Sequence, residues 1–207
     1  MNKSHHLTES EPWNKGQLVG QKRPLRCRDV WTIRTRLALD GNKRDLALFN
    51  LAIDSKLRAS DLVRIRISDV QTADQVRERA SVIQKKTGRP VHFELTETTR
   101  LSVTHWLQAY RAQPTTYLFP SRLGSSGHLS TRQYSRLIHK WITLSGLNSA
   151  PYGTHSMRRT KVVQIYRNTG NVRAIQLLLG HTKLETTVRY LGVEVEDALS
   201  MSEQLEL

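Results

Sequence analysis

Cysteine is almost missing from this chain: Cys27 is the only one in 207 residues. A single thiol excludes an internal disulfide and a four-cysteine zinc site. Cys27 itself reads as a small residue at a helix start. No apolar run approaches the ~20 residues that a membrane-spanning helix needs. No charged-then-apolar leader is visible at the N-terminus, and no internal repeat emerges along the chain. Acidic residues are scarce beside basic ones, 18 against 32, for a formal net charge of +14 and a pI near 10.4. A chain this basic expects a polyanion, either nucleic acid or an anionic membrane. With no span and no leader, the expectation is a soluble cytoplasmic, nucleoid-associated protein acting on nucleic acid, with no membrane partner.

What is present suffices for one sizeable domain. Hydrophobic residues make up 38% of the chain and four are Trp, enough for a core. The charge is unevenly spread. Residues 193–207 hold Glu194, Glu196, Asp197, Glu203 and Glu206 and no Lys or Arg. Set apart, those five acids leave 32 basic against 13 acidic residues over 1–192, a formal +19. The expected organisation is a flexible basic tail over 1–24, a main domain over 25–192 and an acidic C-terminal helix or tail over 193–207. In that tail Val193, Val195, Leu199 and Met201 form an apolar face that can dock on a neighbouring copy or on its own domain.

Periodicity predicts a mainly α protein with one small antiparallel β-hairpin, an α+β fold of about eight helices. From Asp29, an apolar face of Val30, Trp31, Ile33 and Leu37 runs to about Asp40-Gly41-Asn42. Arg44 to Lys56 follows, with Leu46, Phe49, Leu51 and Ile53 apolar. Ser60-Asp61 reads as the N-cap of a short helix over Leu62 to Ile67. Val76–Gln84 and Pro90–Leu95 are β-prone runs around Lys85-Lys86-Thr87-Gly88-Arg89, a hairpin signal. Thr96 to Ala112 is helical on Leu101, Val103, Trp106, Leu107 and Tyr110, and Pro114 ends it. After an apolar plug, Tyr117–Pro120, and a Gly/Ser loop at 123–128, Ser130 caps a helix that turns Tyr134, Leu137, Ile138, Trp141 and Ile142 inward. A helix over His155–Asn168, a shorter one from Asn171 to Leu179 closed by Gly180, and a last turn over Lys183–Arg189 complete the count.

Chemistry enters through order and spacing. Cutting a phosphodiester without metal needs fixed cations for the charge that gathers on phosphorus-bound oxygens, a nucleophile, and a proton for the leaving 5′-oxygen. Arginine, always charged and bidentate, suits the first task. A tyrosine nucleophile conserves the bond energy as an ester, so the strand can be rejoined without ATP. His155 and Arg158 stand three residues apart on one helical face. His181 follows Gly180, and Tyr190 lies nine residues further on. Arg58 and Lys86 precede them. Taken singly each has an ordinary explanation: an exposed hairpin lysine, a surface arginine, a core tyrosine. Their joint order is what carries weight.

That order resembles the tyrosine recombinase, or phage integrase, family. Its signature is an arginine, a lysine on a β-hairpin, H-x-x-R, a histidine in L-G-H, and a tyrosine about nine residues on. The first arginine usually stands in G-L-R-x-S-E-L. Lys56-Leu57-Arg58-Ala59-Ser60-Asp61-Leu62 matches it, with Lys56 for Gly and Asp61 for Glu; the carboxylate of Asp61 is expected to orient Arg58. Gln84-Lys85-Lys86-Thr87-Gly88 matches the hairpin lysine at Lys86, with Lys85 as the alternative. His155-Ser156-Met157-Arg158-Arg159 matches H-x-L-R-[HR], and Leu178–His181 and Thr186–Tyr190 match the L-G-H and T-x-x-x-Y segments. The resemblance covers about residues 25–195 and fills all six positions.

The resemblance implies a site-specific DNA recombinase. Tyr190 attacks the scissile phosphate to give a 3′-phosphotyrosine and a free 5′-hydroxyl. Arg58 and Arg158 clamp the non-bridging oxygens, and Lys86 protonates the leaving oxygen. His155 accepts the tyrosine proton or orients the phosphate, and His181 hydrogen-bonds it. No metal and no organic cofactor is implied. The implied partners are double-stranded DNA and further copies of the chain, exchanging strands in a tetramer. Only about 24 residues precede the first helix, where family members commonly carry ~100 residues of DNA-binding domain. A stand-alone catalytic domain, similar in size to the recombinases that invert fimbrial promoter segments, is therefore expected, with weak, salt-sensitive DNA binding that multimers or an accessory protein restore. Two alternatives share the fold: a DNA-binding regulator without catalysis, and a type IB topoisomerase-like nicking and sealing enzyme.

Overall fold

Several helix starts in this chain are set by short polar side chains that take up free backbone N–H groups, and a computed structural model describes the result for residues 21–110, 116–121, 127–192 and Glu203. Among the described residues there are nine helical segments and two β-hairpins. α1 (Cys27–Leu39) begins where the Asp29 carboxylate accepts the Arg26 N–H at 3.1 Å. It buries Val30, Ile33 and Leu37. Trp31, expected in that apolar face, is instead 63% exposed, with the Arg34 guanidinium 5.5 Å from its ring centre. Its position falls outside the i, i+3, i+7 stripe set by Val30, Ile33 and Leu37.

α2 (Lys43–Ser55) is the central helix. Asn42 caps it by accepting the Asp45 N–H at 3.2 Å, and Ala47, Leu48, Phe49, Leu51, Ala52 and Ile53 are all buried. Burial of each large apolar side chain contributes about 1.5–3 kcal/mol. α2 ends at Lys56, in the left-handed region at φ 55°. α3 (Ala59–Leu62) starts earlier than the expected Ser60 cap, because the Arg58 carbonyl already accepts from Asp61 and Leu62 N–H. The expected helix over Leu62–Ile67 is replaced by a turn, and α4 (Ile67–Val70) follows it.

The small sheets are antiparallel, as expected, but there are two. β1 (Gln71–Thr72) and β2 (Gln75–Val76) close over Ala73 and Asp74, both at positive φ, so Val76 leaves the longer strand predicted for it. β3 (Arg79–Ile83) pairs with β4 (Pro90–Glu94) in a register from Arg79↔Glu94 to Ile83↔Pro90. Ala80, Val91 and Phe93 turn into the core.

α5 (Glu97–Tyr110) packs along α2, with Val103 fully buried and Trp106 and Leu107 against the core as expected. Leu101 is 53% exposed, while Thr99 and Ser102 point inward. The Thr99 hydroxyl donates to Asp54 Oδ2 at 2.6 Å, and Asn50 Nδ2 donates to Ser102 Oγ at 3.1 Å. Buried polar groups that find partners cost little, and these partners fix the orientation of α5. The expected stop at Pro114 lies outside the described residues, as does most of the Gly/Ser loop.

α6 (Thr131–Leu144) carries the expected cap: Ser130 Oγ accepts the Gln133 N–H at 3.1 Å, and Gln133 Oε1 accepts the Ser130 N–H at 2.9 Å. Its Trp141 donates to Asp45 Oδ2 at 2.9 Å and meets Phe49 edge to face. α7 (Thr154–Thr169), α8 (Val172–Leu179) and α9 (Leu184–Leu191) close the described domain. A second, small core of Val162, Ile175, Leu179 and Leu191 holds these three together.

The N-terminal tail expected over 1–24 is described only from Gln21. Residues 21–26 run extended against α7 and α9, with Leu25 N–H on Thr160 Oγ1 at 3.0 Å and Gln21 Nε2 on the Arg189 carbonyl at 2.6 Å. The expected acidic helix over 193–207 lies outside the described residues apart from Glu203. No helix among the described residues is long and apolar enough to cross a membrane.

Candidate active site

Five of the six candidate residues converge where α3, α7, α8 and α9 meet. Arg58 stands at the N-terminus of α3, and its Nη1 donates to Gln84 Oε1 at 2.7 Å. Gln84, fully buried at the base of the β3–β4 turn, donates through Nε2 to the Leu179 carbonyl at 3.2 Å. Arg158 Nη2 donates to the same carbonyl at 3.0 Å. Leu179 ends α8, so its carbonyl has no helical partner and carries part of the negative helix end. One backbone oxygen thus ties both arginines together, one directly and one through Gln84.

Gly180 lets that carbonyl sit where it does. It caps α8 at φ 65°, a conformation glycine adopts without strain. A Cβ there would lie 2.6 Å from Val91 Cγ2 on β4. The glycine therefore serves both the turn and the close approach of the hairpin.

Arg158 is 3% exposed. Burial lowers its pKa to about 10, against the opposing pull of Tyr190 and Asp61; it stays charged at neutral pH. Its Nη1 is buried and has no hydrogen-bond partner, and the same holds for the Tyr190 hydroxyl. The Arg158 and Arg159 guanidinium carbons lie 5.8 and 5.6 Å from the Tyr190 ring centre. His181 meets that ring edge to face at 5.6 Å, its Nδ1 3.1 Å from the Thr187 hydroxyl. Burial pushes the Tyr190 phenol up to about 12, with Arg158 and Arg159 pulling the other way. Desolvation, then Arg158 and Arg58, bring His181 down to about 4.

His155 is exposed, one turn before Arg158 on α7. With Arg58, Ala59, Ser60, Thr154 and Arg158 it lines an open pocket of about 210 Å³. Desolvation, then the charges of Arg158, Arg58 and Arg159, hold its pKa below the usual histidine value. Both imidazoles are therefore neutral at pH 7.

Lys86 is the residue not drawn in. It is exposed at the tip of the β3–β4 turn, as is Lys85, and no hydrogen bond or ion pair fixes its ammonium among the described residues. The turn itself is anchored: Asp61 Oδ1 accepts the Lys85 N–H at 3.0 Å. This corrects the role expected of Asp61. It holds the hairpin turn, and the hydrogen bond that orients Arg58 goes to Gln84, 26 residues away in sequence.

Three residues contribute without having been singled out as site residues. Gln84 opened the hairpin segment, Arg159 followed Arg158 in its motif, and Thr187 stood in T-x-x-x-Y. Arg159 is further fixed by donating from Nη1 to the Lys22 carbonyl at 2.8 Å. Among the described residues no group of three or more His, Cys, Asp or Glu is placed to hold a metal ion.

A mainly α fold in which two buried arginines converge on a partly buried tyrosine sets fixed positive charge beside a phenol. The family model of the phage integrase family matches residues 32–196, and the chain belongs to that family. It is 28% identical over 156 residues to the probable integrase/recombinase YoeC of Bacillus subtilis (strain 168), covering 75% of this chain and 81% of that one. It is 30% identical over 161 residues to the tyrosine recombinase XerC of Chlamydia muridarum (strain MoPn / Nigg), covering 74% of this chain and 48% of the relative. The chain thus spans about half the length of that XerC relative. In fold it is similar to a crystal structure of the XerA recombinase, at a TM-score of 0.71, 20% identity, and coverage of 90% of this chain and 64% of that one. It is also similar to the XerH site-specific recombinase bound to its difH substrate, at a TM-score of 0.68, 16% identity, and coverage of 88% and 55%.

Proposed function

We propose that this chain is the catalytic domain of a site-specific recombinase that cuts and rejoins double-stranded DNA through a 3′-phosphotyrosine. The observation that carries the reading is the pair of buried, unpartnered polar atoms, Arg158 Nη1 and the Tyr190 hydroxyl. An unmet donor in a buried site costs about 1–3 kcal/mol, and a phosphate oxygen bound there would meet it.

On this reading, Arg58 and Arg158 receive the non-bridging oxygens of the scissile phosphate. Tyr190 Oη forms the new bond to phosphorus as the bond to the 5′-oxygen breaks. Tyr190, held near 12, loses its proton during attack and not before it, and neutral His155 takes that proton. His181 hydrogen-bonds the phosphate. Lys86 gives a proton to the leaving 5′-oxygen once bound DNA draws its exposed side chain inward. Reversal of the same steps by another strand's 5′-hydroxyl rejoins the DNA. The charge for this comes from side chains alone.

Support for DNA as partner comes from the +14 charge and from relatives in the family, among them a XerH structure with DNA bound. Self-association on DNA, as a tetramer, and help from an accessory DNA-binding protein belong to this proposal, as do a cytoplasmic, nucleoid-associated location, residues 25–192 as the catalytic unit and 193–207 as a docking segment.

The test uses the full chain and a pool of nicked duplexes with randomised sequence. Nicked substrates release the 5′-hydroxyl fragment and trap the adduct. A detergent-stable adduct, enriched in one sequence and lost in Tyr190→Phe, is the expected result. Exchange of strands between two copies of that sequence separates recombination from topoisomerase-like relaxation. Sequence-specific binding with no adduct on any duplex would instead make the chain a DNA-binding regulator.

A further inference from the structure

Lys56 stands where the family's first-arginine motif usually carries glycine, and the backbone explains the glycine: φ is 55°. A lysine in that conformation is strained, so its side chain must return something. It is 1% exposed. Its ammonium donates to the Asp54 carbonyl at 2.5 Å and to both Glu94 oxygens at 2.9 Å. Glu94, the last residue of β4, also meets Lys161 Nζ at 2.7 Å. Lys161 in turn donates to Asp54 Oδ1 at 2.7 Å. Asp54 Oδ2 is filled by Thr96 and Thr99. Two cations and two carboxylates form a closed, electroneutral quartet.

The members come from three places that matter. Lys56 lies two residues before Arg58. Lys161 lies three residues after Arg158, on α7. Glu94 ends the strand of the hairpin that carries Gln84 and Lys86. A partly buried ion-pair network is a poor stabiliser compared with apolar packing, but its geometry is narrowly defined, and removing Glu94 or Lys161 leaves the buried charge of Lys56 or Asp54 unmatched. This tie is independent of the one through Gln84 and the Leu179 carbonyl.

We infer that the Lys56–Glu94–Lys161–Asp54 quartet is a positioning device that sets the spacing of Arg58 and Arg158 for the transferred phosphate. The inference rests on the reading of the site given under Proposed function. It makes Lys56, Glu94 and Lys161 positioning residues, since none of them reaches the reacting atoms.

Charge balance provides the test. Glu94→Gln leaves the quartet one charge positive, and Lys161→Met leaves it one negative. The double variant is neutral again by count, with Lys56 still donating to the Asp54 backbone carbonyl. The full chain and the nicked duplex recovered as the wild-type adduct are used, and three quantities are read: the urea midpoint, the DNA Kd, and the single-turnover cleavage rate. Both single variants are expected to lose stability and to cleave about tenfold more slowly or worse. The double variant is expected to recover the urea midpoint and keep a DNA Kd within about twofold of wild type, yet remain about tenfold slow. Lys161→Arg, which keeps charge and reach, is expected to cleave at the wild-type rate. A cleavage rate that recovers with stability in the double variant would make the quartet a fold-stabilising feature only and overturn the inference. Variants that cleave at full rate overturn it as well, while leaving the proposed function standing. A wild-type chain that forms no adduct removes both.

Discussion

Tyr190 and the two candidate histidines, His155 and His181, are tuned in opposite directions, and the tuning has consequences in pH. The phenol is held near 12, so a rate that depended on prior ionisation would climb about tenfold per pH unit through the neutral range. His155 is neutral there, its pKa held low by desolvation and three arginines, and can take the proton during attack. Single-turnover cleavage is therefore expected to be nearly flat between about pH 7 and 9; a tenfold rise per unit would contradict the assignment of His155 as base. Both lowered histidines bear on stability, His181 most. Its folded-state pKa is about 4 against the usual 6.5, so the unfolded chain binds the extra proton over that window. Stability is full above 6.5 and falls as pH drops toward about 4. The carboxylates of Asp54 and Glu94, whose pKa values are lowered from 3.8 and 4.5, lose their contribution only further toward acid. The urea midpoint of the wild-type chain should fall between pH 6.5 and about 4, and His181→Asn should reduce that fall, leaving the part that the lowered His155 contributes.

At the level of elements, the site depends on how α8 meets the hairpin. Gly180→Ala would place a methyl group 2.6 Å from Val91 Cγ2, at a φ of +65°. A loss of about 1–3 kcal/mol is expected in urea unfolding, with slower cleavage because the Leu179 carbonyl that holds Gln84 and Arg158 must move. An unchanged midpoint would show that β4 yields freely there. The elements were also the scale at which sequence reasoning was most uneven. α6 was legible in full, because Ser130 and Gln133 state its start and Tyr134, Ile138, Trp141 and Ile142 state its face. α5 was legible in part: Val103, Trp106 and Leu107 face the core as expected, but Leu101 is exposed, and Thr99 and Ser102 turn inward to partners on α2. The β1–β2 turn was missed because Ala73 and Asp74 adopt positive φ without the glycine that usually signals it.

For the molecule as a whole, the order of the six candidate residues is carried by the chain itself: Arg58, Lys86, His155, Arg158, His181, Tyr190. The ties that assemble them are not. Gln84 reaches the Leu179 carbonyl across 95 residues, and Lys161 reaches Asp54 across 107; no local pattern announces either. The charge of +14 makes a prediction at this scale too. DNA affinity should fall at least about tenfold between about 50 and 200 mM salt, read by gel shift, and binding indifferent to salt would contradict an interface built on phosphate contacts. The central claim, that Tyr190 is the nucleophile, is tested most directly by mapping the bond. The full chain is trapped on its nicked duplex, digested with nuclease and protease, and the modified peptide is sequenced by mass spectrometry. The expected result is one nucleotide joined through its 3′-phosphate to Tyr190. A nucleotide on any other residue, or an adduct that survives Tyr190→Phe, would contradict it.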